Sequence, residues 1–505
     1  MVGSTRRASG VVGVDQSVPV CPYGDLAERG LSMKRLVLIN PPLTMEERYG
    51  TLAKAGSKLP PLGLCNLAAV VRKAGLEVSI IDAPAAELGI EETFEMVQKF
   101  NPDLIGITAV TISINNAARL AQYIKEMNPQ YVIILGGPHV TAIVKETLNR
   151  FPQFDFAVMG EGEDTLLELV TSFDKNLNIE KVPGLSFRRN SDIVFSRPRP
   201  FIENLDKLPL PSWDLLPDFP KAYSQSAMRS NRFPSACLIT SRGCYGKCTF
   251  CDTACFGKRI RNHSAEYVNA MIKDLINRYG VKDISFYDDN FIAFPQRISK
   301  ICKMIIDEKL DITWSCDSRI DAVQSFDQLK MLKQAGCWQI CYGIESGNQK
   351  ILDEVKKNIT LEKIKRVVGW TDKAGILVKG FFMLGLPLET EETIRETINF
   401  AKELPLTNAH VTFTTPLPGS ELYNTASRYG VFDNDWSKMN MWTPVFIPHG
   451  LTEKILQKNK KKFFREFYLR PRIVYNYLRM IKQPRQLLKL ISGFWTLLTS
   501  LIKAK

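Results

Sequence analysis

Ser241-Arg242-Gly243-Cys244-Tyr245-Gly246-Lys247-Cys248-Thr249-Phe250-Cys251 sets three cysteines four and three residues apart within one short loop. That spacing lets a single turn of chain wrap its thiolates around one inorganic centre. Cysteine thiolates are the usual holders of iron–sulfur clusters, and a [4Fe–4S] cube normally takes four of them. Three close ligands, Cys244, Cys248 and Cys251, leave one iron open, and an open metal position is where a further ligand binds. A structural zinc knuckle is the competing reading, with Cys255 or Cys237 as fourth ligand. Zinc sites usually pair Cys-x-x-Cys units or add His at set spacings, and neither follows this loop.

Strand and helix patterns alternate on both sides of the loop. A strand over 236–240 leads into it, and five more are expected at 283–287, 312–316, 340–344, 378–383 and 410–414. Six strands are too few for a closed eight-stranded barrel. Barrel catalytic groups come from the C-terminal ends of strands. Here those ends read Asp288-Asp289-Asn290, Ser318-Arg319, Gly343-Ile344-Glu345-Ser346, Gly385-Leu386-Pro387 and Pro416-Leu417-Pro418-Gly419. Any one of these alone is equally a solvated turn or a helix cap. Five in barrel order are harder to explain that way.

Ahead of the loop, short apolar runs at 35–40, 77–82, 104–108, 131–137 and 156–160 alternate with helical stretches, the first over 62–73. This β–α alternation predicts an α/β, doubly wound parallel sheet, which binds ligands outside the carboxyl ends of its strands. Asn40-Pro41-Pro42, Thr108, Gly136-Gly137-Pro138-His139 and Gly160-Glu161-Gly162-Glu163 stand at those ends. Glycines there allow close backbone approach to a bulky ligand. A hairpin over 184–195 and a proline-rich stretch read as a connector. The expected division is a disordered leader over 1–33, with Met33 as a candidate start, a first domain over 34–176, a linker over 177–226, a barrel core over 227–430 and a helical region over 431–505.

Cys-x-x-x-Cys-x-x-Cys with an aromatic before the last Cys resembles the signature of the radical S-adenosylmethionine (radical SAM) enzymes. The Gly136-Gly137-Pro138-His139 and Gly160-Glu161-Gly162-Glu163 pieces, with Asn40-Pro41-Pro42 and Pro61-Leu62-Gly63, resemble the cobalamin-binding domain that precedes many radical SAM cores. The resemblance covers residues 34 to 470, about. It implies a Rossmann-like cobalamin-binding domain, a partial (β/α)6 barrel and a C-terminal helical basic tail. It also implies three cofactors: a [4Fe–4S] cluster on Cys244, Cys248 and Cys251, S-adenosylmethionine (SAM) on its open iron, and cobalamin. In the family an electron from the cluster cleaves SAM to methionine and a 5′-deoxyadenosyl radical.

Carried onto this chain, the resemblance gives Asp288, Asp289 and Asn290 to the SAM amino group and Arg319 to a carboxylate. Glu345 and Ser346 go to its ribose or methionine end, and Gly385 and Pro387 to adenine. Asn40, Pro41, Thr108, Gly136, Gly137, His139, Gly160 and Glu161 go to cobalamin. No Asp-x-His-x-x-Gly follows the first strand, so the usual lower-axial His is missing. His139 is the only His before the cluster loop. A base-off cobalamin with no protein His on cobalt is expected, against two alternatives: His139 on the metal, and a Rossmann-like domain that has lost its cofactor.

An sp³ C–H bond has no useful acidity, so the cofactors carry that chemistry and the protein orients them. The activity implied is methylation of an unactivated carbon through the 5′-deoxyadenosyl radical and methylcobalamin. The first rival is an oxidative cyclase such as the anaerobic cyclase of chlorophyll synthesis. Methylthio transfer to transfer RNA is disfavoured, because that family places cluster cysteines in its N-terminal domain and here only Cys65 lies between residues 34 and 236. A cluster-and-cobalamin sensor would bind the cluster without cleaving SAM. An electron donor such as flavodoxin or ferredoxin is implied.

At 505 residues the chain holds about three domains, and 45% hydrophobic with 24% charged residues is ordinary globular composition. Eleven cysteines without a small-scaffold pattern are not a disulfide framework, and an oxygen-sensitive cluster needs a reducing compartment, hence a cytoplasmic placement. No apolar run reaches the 18 residues or so of a spanning helix. The net charge is +13, of which +12 lies in residues 451–505, with 14 Lys and Arg against Glu453 and Glu466. The body is therefore nearly neutral, and no nucleic-acid partner is expected.

Leu490 to Ile502 is mostly apolar, but at about 1.5 Å per residue it is too short to cross a core of about 30 Å. The tail is expected either to lie on the inner membrane face or to pack on the barrel. A small-molecule or lipid-like substrate is expected. The stretch with Trp436, Met439, Met441, Trp442 and Phe446 either roofs the site or packs a core.

Overall fold

The computed structural model describes residues 33–175, 177–189, 192–225 and 229–473. The expected leader up to residue 32, and the tail beyond 473 with its membrane reading, lie outside the described residues.

The first sheet has seven strands in the order β2-β1-β3-β4-β5-β6-β7. Strands β1 (Arg35–Asn40), β2 (Glu77–Asp82), β3 (Leu104–Thr108), β4 (Val132–Gly136) and β5 (Phe156–Val158) run parallel. Their sequences are near-continuous apolar runs because both faces are covered. In β1, Leu36 and Leu38 enter one core beside Cys65 and Ala68 of the helix Leu62–Lys73, while Val37 and Ile39 enter another beside Phe94 and Ala117. The hairpin β6 (Leu185–Arg189) and β7 (Asp192–Phe195), read from sequence as part of the connector, completes this sheet. It pairs antiparallel with β5, setting Phe187 opposite Phe156. Both rings are fully buried, so the hairpin belongs to the first domain by its packing.

The second sheet is the six-stranded parallel array expected, in the order β15-β14-β13-β12-β11-β8. Its strands are β8 (Ser235–Leu238), β11 (Asp283–Phe286), β12 (Thr313–Ser318), β13 (Cys337–Glu345), β14 (Leu377–Leu384) and β15 (Asn408–Phe413). The short ribbon β9 (Ser241–Arg242) and β10 (Arg261–Asn262) brackets the cysteine loop, with Arg242 opposite Arg261. An open six-stranded array leaves β15 as an edge. The helix Glu453–Tyr468 covers it: Leu456, Phe463 and Phe467 are buried on one helical face, and Phe463 packs on Phe382 at 5.2 Å between centroids. The Tyr468 hydroxyl lies 2.6 Å from Asn408 Oδ1 and 2.7 Å from the Ala409 carbonyl.

The segment between β16 (Gly430–Phe432) and β17 (Phe446–Pro448) divides the Trp/Met stretch. Trp436, Met439 and Val445 are buried in the second core of the first domain. Trp442 stays with the barrel, 5.1 Å from the His410 ring.

The two domains are joined by a buried ion network. Glu161 and Glu163 follow β5, and Arg242 and Arg261 come from the ribbon. Arg242 Nη1 donates to Glu161 Oε1 at 2.7 Å, and its Nη2 donates to Glu163. Arg261 Nη1 donates to both Glu161 oxygens at 2.8 and 2.7 Å, and the Ile202 amide also donates to Glu161 Oε2 at 2.7 Å. Burial alone would favour neutral Arg242, but the two glutamates hold it charged, above its ordinary value. Removing one partner of a buried pair typically costs about 3–5 kcal/mol, because the other charge is left uncompensated. Glu161→Gln should therefore lower the unfolding free energy by about 3 kcal/mol or more. Exposed Asp164→Asn should stay within about 0.5 kcal/mol. Urea unfolding of both variants checks this, and equal midpoints would mean the network does not hold the domains.

Candidate functional site

The cysteine loop is held open by backbone geometry that its sequence requires. Gly243 has φ +89°, and a Cβ there would lie 2.4 Å from the Arg259 carbonyl. The loop is tied down at its far side, where the Thr249 amide donates to the Val355 carbonyl at 3.1 Å and its own carbonyl accepts from Leu422 at 2.8 Å. Cys244 and Cys248 are half-buried and Cys251 exposed, whereas Cys65, Cys237, Cys302, Cys316, Cys337 and Cys341 are buried. The three loop thiols are thus the accessible ones, together with half-buried Cys255. Cys255 turns away, its Sγ 3.9 Å from the Gly160 carbonyl across the domain boundary.

Among the described residues no three His, Cys, Asp or Glu side chains converge on a single-ion site. A [4Fe–4S] cube does not require that, because it puts one thiolate on each of several irons. The donor set fits such a group. The Cys244 and Cys251 thiols are pushed up, first by the protein packed around them and then by Cys248, by Asp289 and, at Cys251, by Cys244. A bound cationic centre relieves that mutual repulsion. A cation already stands beside the loop: Arg319 Nη1 is 3.6 Å from Cys248 Sγ.

The strand ends above the loop separate into saturated and free groups. Asp288 is buried and accepts from the Thr240 amide and hydroxyl and from the Ser241 hydroxyl. It staples β11 to the loop entrance, with Oδ1 taken by both hydroxyls and the Thr240 amide shared between its two oxygens. Asp289, its neighbour, has no hydrogen-bond partner among the described residues. It is exposed by area yet closely surrounded by protein, as a residue on a concave wall is, and that protein raises its carboxyl to about 6, with Asp288 and Asp317 adding to the rise. Asn290 Oδ1 accepts from the Ser318 hydroxyl at 2.9 Å and the Arg319 amide at 3.2 Å, which leaves its buried Nδ2 unpartnered.

Arg319 does not present a free fork. Nε donates to Asp321 at 2.8 Å, and Nη2 to Asp321 at 3.2 Å and to the Lys357 carbonyl at 2.9 Å. Glu345 sits at a bulge between β13 and β14 with φ +67°, a conformation rare for a non-glycine residue. Its carboxylate is paired with Lys357 Nζ at 2.8 Å, both side chains being buried. A Cβ on Gly343 would lie 2.5 Å from Glu345 Oε1 and 2.7 Å from Lys357 Nζ, so the glycine makes room for the pair. Ser346 is buried against Thr397 at 3.1 Å and serves packing. Gly385 (φ +82°) and the Leu386 amide both donate to Glu389, which fixes the turn before Pro387.

Across the boundary, the β1, β3, β4 and β5 ends of the first sheet bring Asn40, Pro41, Thr108, Gly136, Gly137 and Gly160 to one edge. Asn40 Nδ2 donates to Asp82 at 2.8 Å. Gly137 has φ +106°, and a Cβ would lie 2.6 Å from the Ala109 carbonyl. The Gly160 amide donates to the Thr141 hydroxyl at 3.0 Å. His139 is buried, with Nδ1 3.2 Å from the Thr111 hydroxyl and its ring edge-on to Trp436 at 4.6 Å. Burial, then Arg150, lowers it to about 3, so it is a neutral packing group. Glu161 turns its carboxylate to Arg242 and Arg261, so its side chain faces the barrel. Sequence reading did not pick out Lys357, Glu389, or the pairing of Arg242 with Glu163. Arg242 stands inside the quoted cysteine stretch, two residues before Cys244, but spacing alone gave it no role.

A Rossmann-like sheet and a six-stranded partial barrel, joined by the buried arginine–glutamate network beside a three-cysteine loop, define a radical SAM enzyme with a cobalamin-type domain. The B12 binding domain model matches residues 49–170 and the Radical SAM superfamily model matches residues 238–401. An uncharacterized methyltransferase of Pyrococcus horikoshii is 35% identical, spanning 88% of this chain and 94% of that protein. The anaerobic magnesium-protoporphyrin IX monomethyl ester cyclase of Rubrivivax gelatinosus is 28% identical over 83% of this chain and 75% of its own. The solved structure of the cobalamin-dependent S-adenosylmethionine radical enzyme OxsB, with aqua-cobalamin and S-adenosylmethionine bound, shares the fold at a TM-score of 0.72 and 19% identity. That match covers 95% of this chain and 72% of the other. The chain belongs to the B12-binding-domain radical SAM family.

Glu389 gives a pH test of the site's geometry. Burial raises its carboxyl from the ordinary 4.5 to about 8 against the pull of the two amides. The unfolded chain therefore releases this proton first, so the stability it contributes is full below about 4.5 and is lost as pH rises towards 8. Glu389→Gln does not titrate. The stability of the native chain relative to this variant should fall between pH 5 and 8.5, read as urea midpoints. Parallel pH profiles would mean the carboxyl is not buried as described.

Proposed function

We propose that this chain is a cobalamin-dependent radical SAM methyltransferase acting on an unactivated carbon. The observation that carries the reading is the ion network of Arg242, Arg261, Glu161 and Glu163, which turns the ligand-binding edge of the first sheet towards the cysteine loop of the barrel. Bound together, the cluster and SAM supply a carbon-centred radical and cobalamin supplies a methyl group. The protein's part is to hold and orient. Cys244, Cys248 and Cys251 hold the cluster, and Arg319 offsets the negative charge of its thiolates. Asp289, the free acid beside the loop, accepts the SAM ammonium, while Asp288 keeps that strand end in place. Glu345, fixed by Lys357, and the Gly385–Pro387 turn line the rest of the SAM wall. Gly136, Gly137 and Gly160 would let cobalamin approach the backbone, while His139, packed against Trp436, would serve the domain's packing.

An oxidative cyclase is the second reading, supported by the 28% identity to a magnesium-protoporphyrin ester cyclase over most of the chain. The partners proposed are a small-molecule or lipid-like substrate and a flavodoxin- or ferredoxin-type donor, with no nucleic acid. No described helix is long and apolar enough to cross a membrane. A cytoplasmic location is part of the proposal; the basic tail beyond residue 473 lies outside the described residues.

Anaerobic reconstitution with iron, sulfide and cobalamin, followed by SAM and a reductant, tests the reading through two products. 5′-Deoxyadenosine together with S-adenosylhomocysteine is expected for methylation. Deoxyadenosine alone favours the cyclase, and neither product overturns both readings. Cys244→Ala, Cys248→Ala and Cys251→Ala should each abolish both products and the cluster absorbance. Retention of iron in any of them would refute the loop as its holder.

A further inference from the structure

The concave face of the second sheet carries more basic than acidic side chains among the described residues. Strand register sets one row as Asp317, Cys341 and Lys379 across β12, β13 and β14. The next row, one step towards the strand ends, is Gly343, Phe381 and His410 across β13, β14 and β15. Phe382 points the other way, onto the covering helix, so Lys379 and Phe381 face inward by alternation. Arg229 lies over this wall, paired with Asp317 at 2.6 and 3.0 Å. That pair is balanced.

Lys379 is not balanced. It is only 9% exposed and has neither hydrogen bond nor ion pair among the described residues. Its Nζ lies 5.3 Å from the Phe381 ring, and the acid that faces it, Asp317 of its own row, is already paired with Arg229. Lys460, from the covering helix, is alike: its Nζ is 4.2 Å from the Phe413 ring and 4.7 Å from the Trp442 ring, with no acid in contact. Burial lowers Lys460 to about 7 and also lowers Lys379. His410, between Phe381 at 5.5 Å and Trp442 at 5.1 Å, is held neutral by burial first and then by the charges of Lys379, Lys460 and Arg229. Three basic side chains thus act on one imidazole, and only Arg229 has an ion-pair partner among the described residues. An ammonium without a partner in such a place is costly, and a perturbed lysine beside other basic groups is a candidate binding residue.

We propose that this wall binds an oxyanion, a carboxylate or phosphate group, through Lys379 and Lys460, with the apolar body of the same molecule on Phe381 and Trp442. The site lies one residue row beneath Gly343 and the Glu345–Lys357 pair, so a molecule anchored there reaches up towards the cysteine loop. It deepens the proposed function by naming the substrate class, an organic acid with an apolar or aromatic frame. In calling that molecule the substrate it rests on the methyltransferase reading.

The experiment is calorimetric titration of the anaerobically reconstituted protein with phenyl phosphate, benzoate and uncharged benzyl alcohol, with 5′-deoxyadenosine formation assayed separately on the same preparation. At least one acid should bind about tenfold or more tightly than the alcohol, the scale of one charge-assisted contact. Whether phenyl phosphate or benzoate leads tells phosphate from carboxylate. Lys379→Met and Lys460→Met should each shrink that preference while keeping alcohol binding, which shows that the pocket is still folded. No preference in the native protein, or a preference untouched in both variants, would overturn the proposal. Deoxyadenosine formation without any acid preference would sink the pocket and leave the enzyme reading. Acid preference without deoxyadenosine would do the reverse.

Discussion

Two arginines and two glutamates with no access to water set the arrangement of this molecule. Each ion taken out of water costs several kcal/mol unless its partners are in place. Glu161 takes donors on both oxygens from Arg242, Arg261 and Ile202, and Glu163 takes the second arm of Arg242. Neither domain alone supplies a neutral set: the first sheet brings only the acids and the ribbon only the bases. The low-energy state is therefore the docked one. Because Arg242 stands two residues before Cys244, docking also fixes the start of the cysteine loop against the Gly160 turn.

The same logic sorts the acids of the cleft. Asp288, Glu161 and Glu389 already accept from hydroxyls, guanidinium groups or backbone amides, and their work is to hold turns. Asp289 has no hydrogen-bond partner among the described residues. A bound ammonium or cation needs an acceptor that is not already engaged, so the free acid matters to ligands and the engaged ones to shape. Arg319 follows the pattern in reverse. Asp321 and a carbonyl occupy most of its fork, which leaves one arm towards Cys248.

Much of the fold is legible in the chain. The parallel strands are short apolar runs buried on both faces, and β1, β2 and β3 fall at the residues that their hydrophobic runs define. The cysteine loop is legible because ligand spacing is local. What was not legible depends on residues far apart. Which of Asp288 and Asp289 is free is decided by Thr240 and Ser241, some 47 or 48 positions away. The partner of Glu161 is 81 residues on. Lys357 sits in an ordinary polar turn, and only the bulge at Glu345 brings the two together. The hairpin after residue 184 looked like a connector because its alternation fits any edge; its place is set by Phe187 meeting Phe156.

A barrel of six strands has an open side, and here the gap is closed by chain that comes after the barrel. Trp442 and Lys460 belong to that late segment, whereas Cys244, Asp289 and Glu345 belong to the loop and strand ends. The proposed oxyanion wall is thus shared between a barrel strand, which brings Lys379 and Phe381, and the late segment, which brings Trp442 and Lys460. Lys460 reaches its place because Phe463 and Phe467 anchor the helix on Phe382 one turn further on. Side chains on the adjoining turn can change without disturbing that anchor or the cysteine loop. On the proposed reading, charge at the wall can therefore change through Lys460 while the helix anchor and the cysteine loop stay as they are.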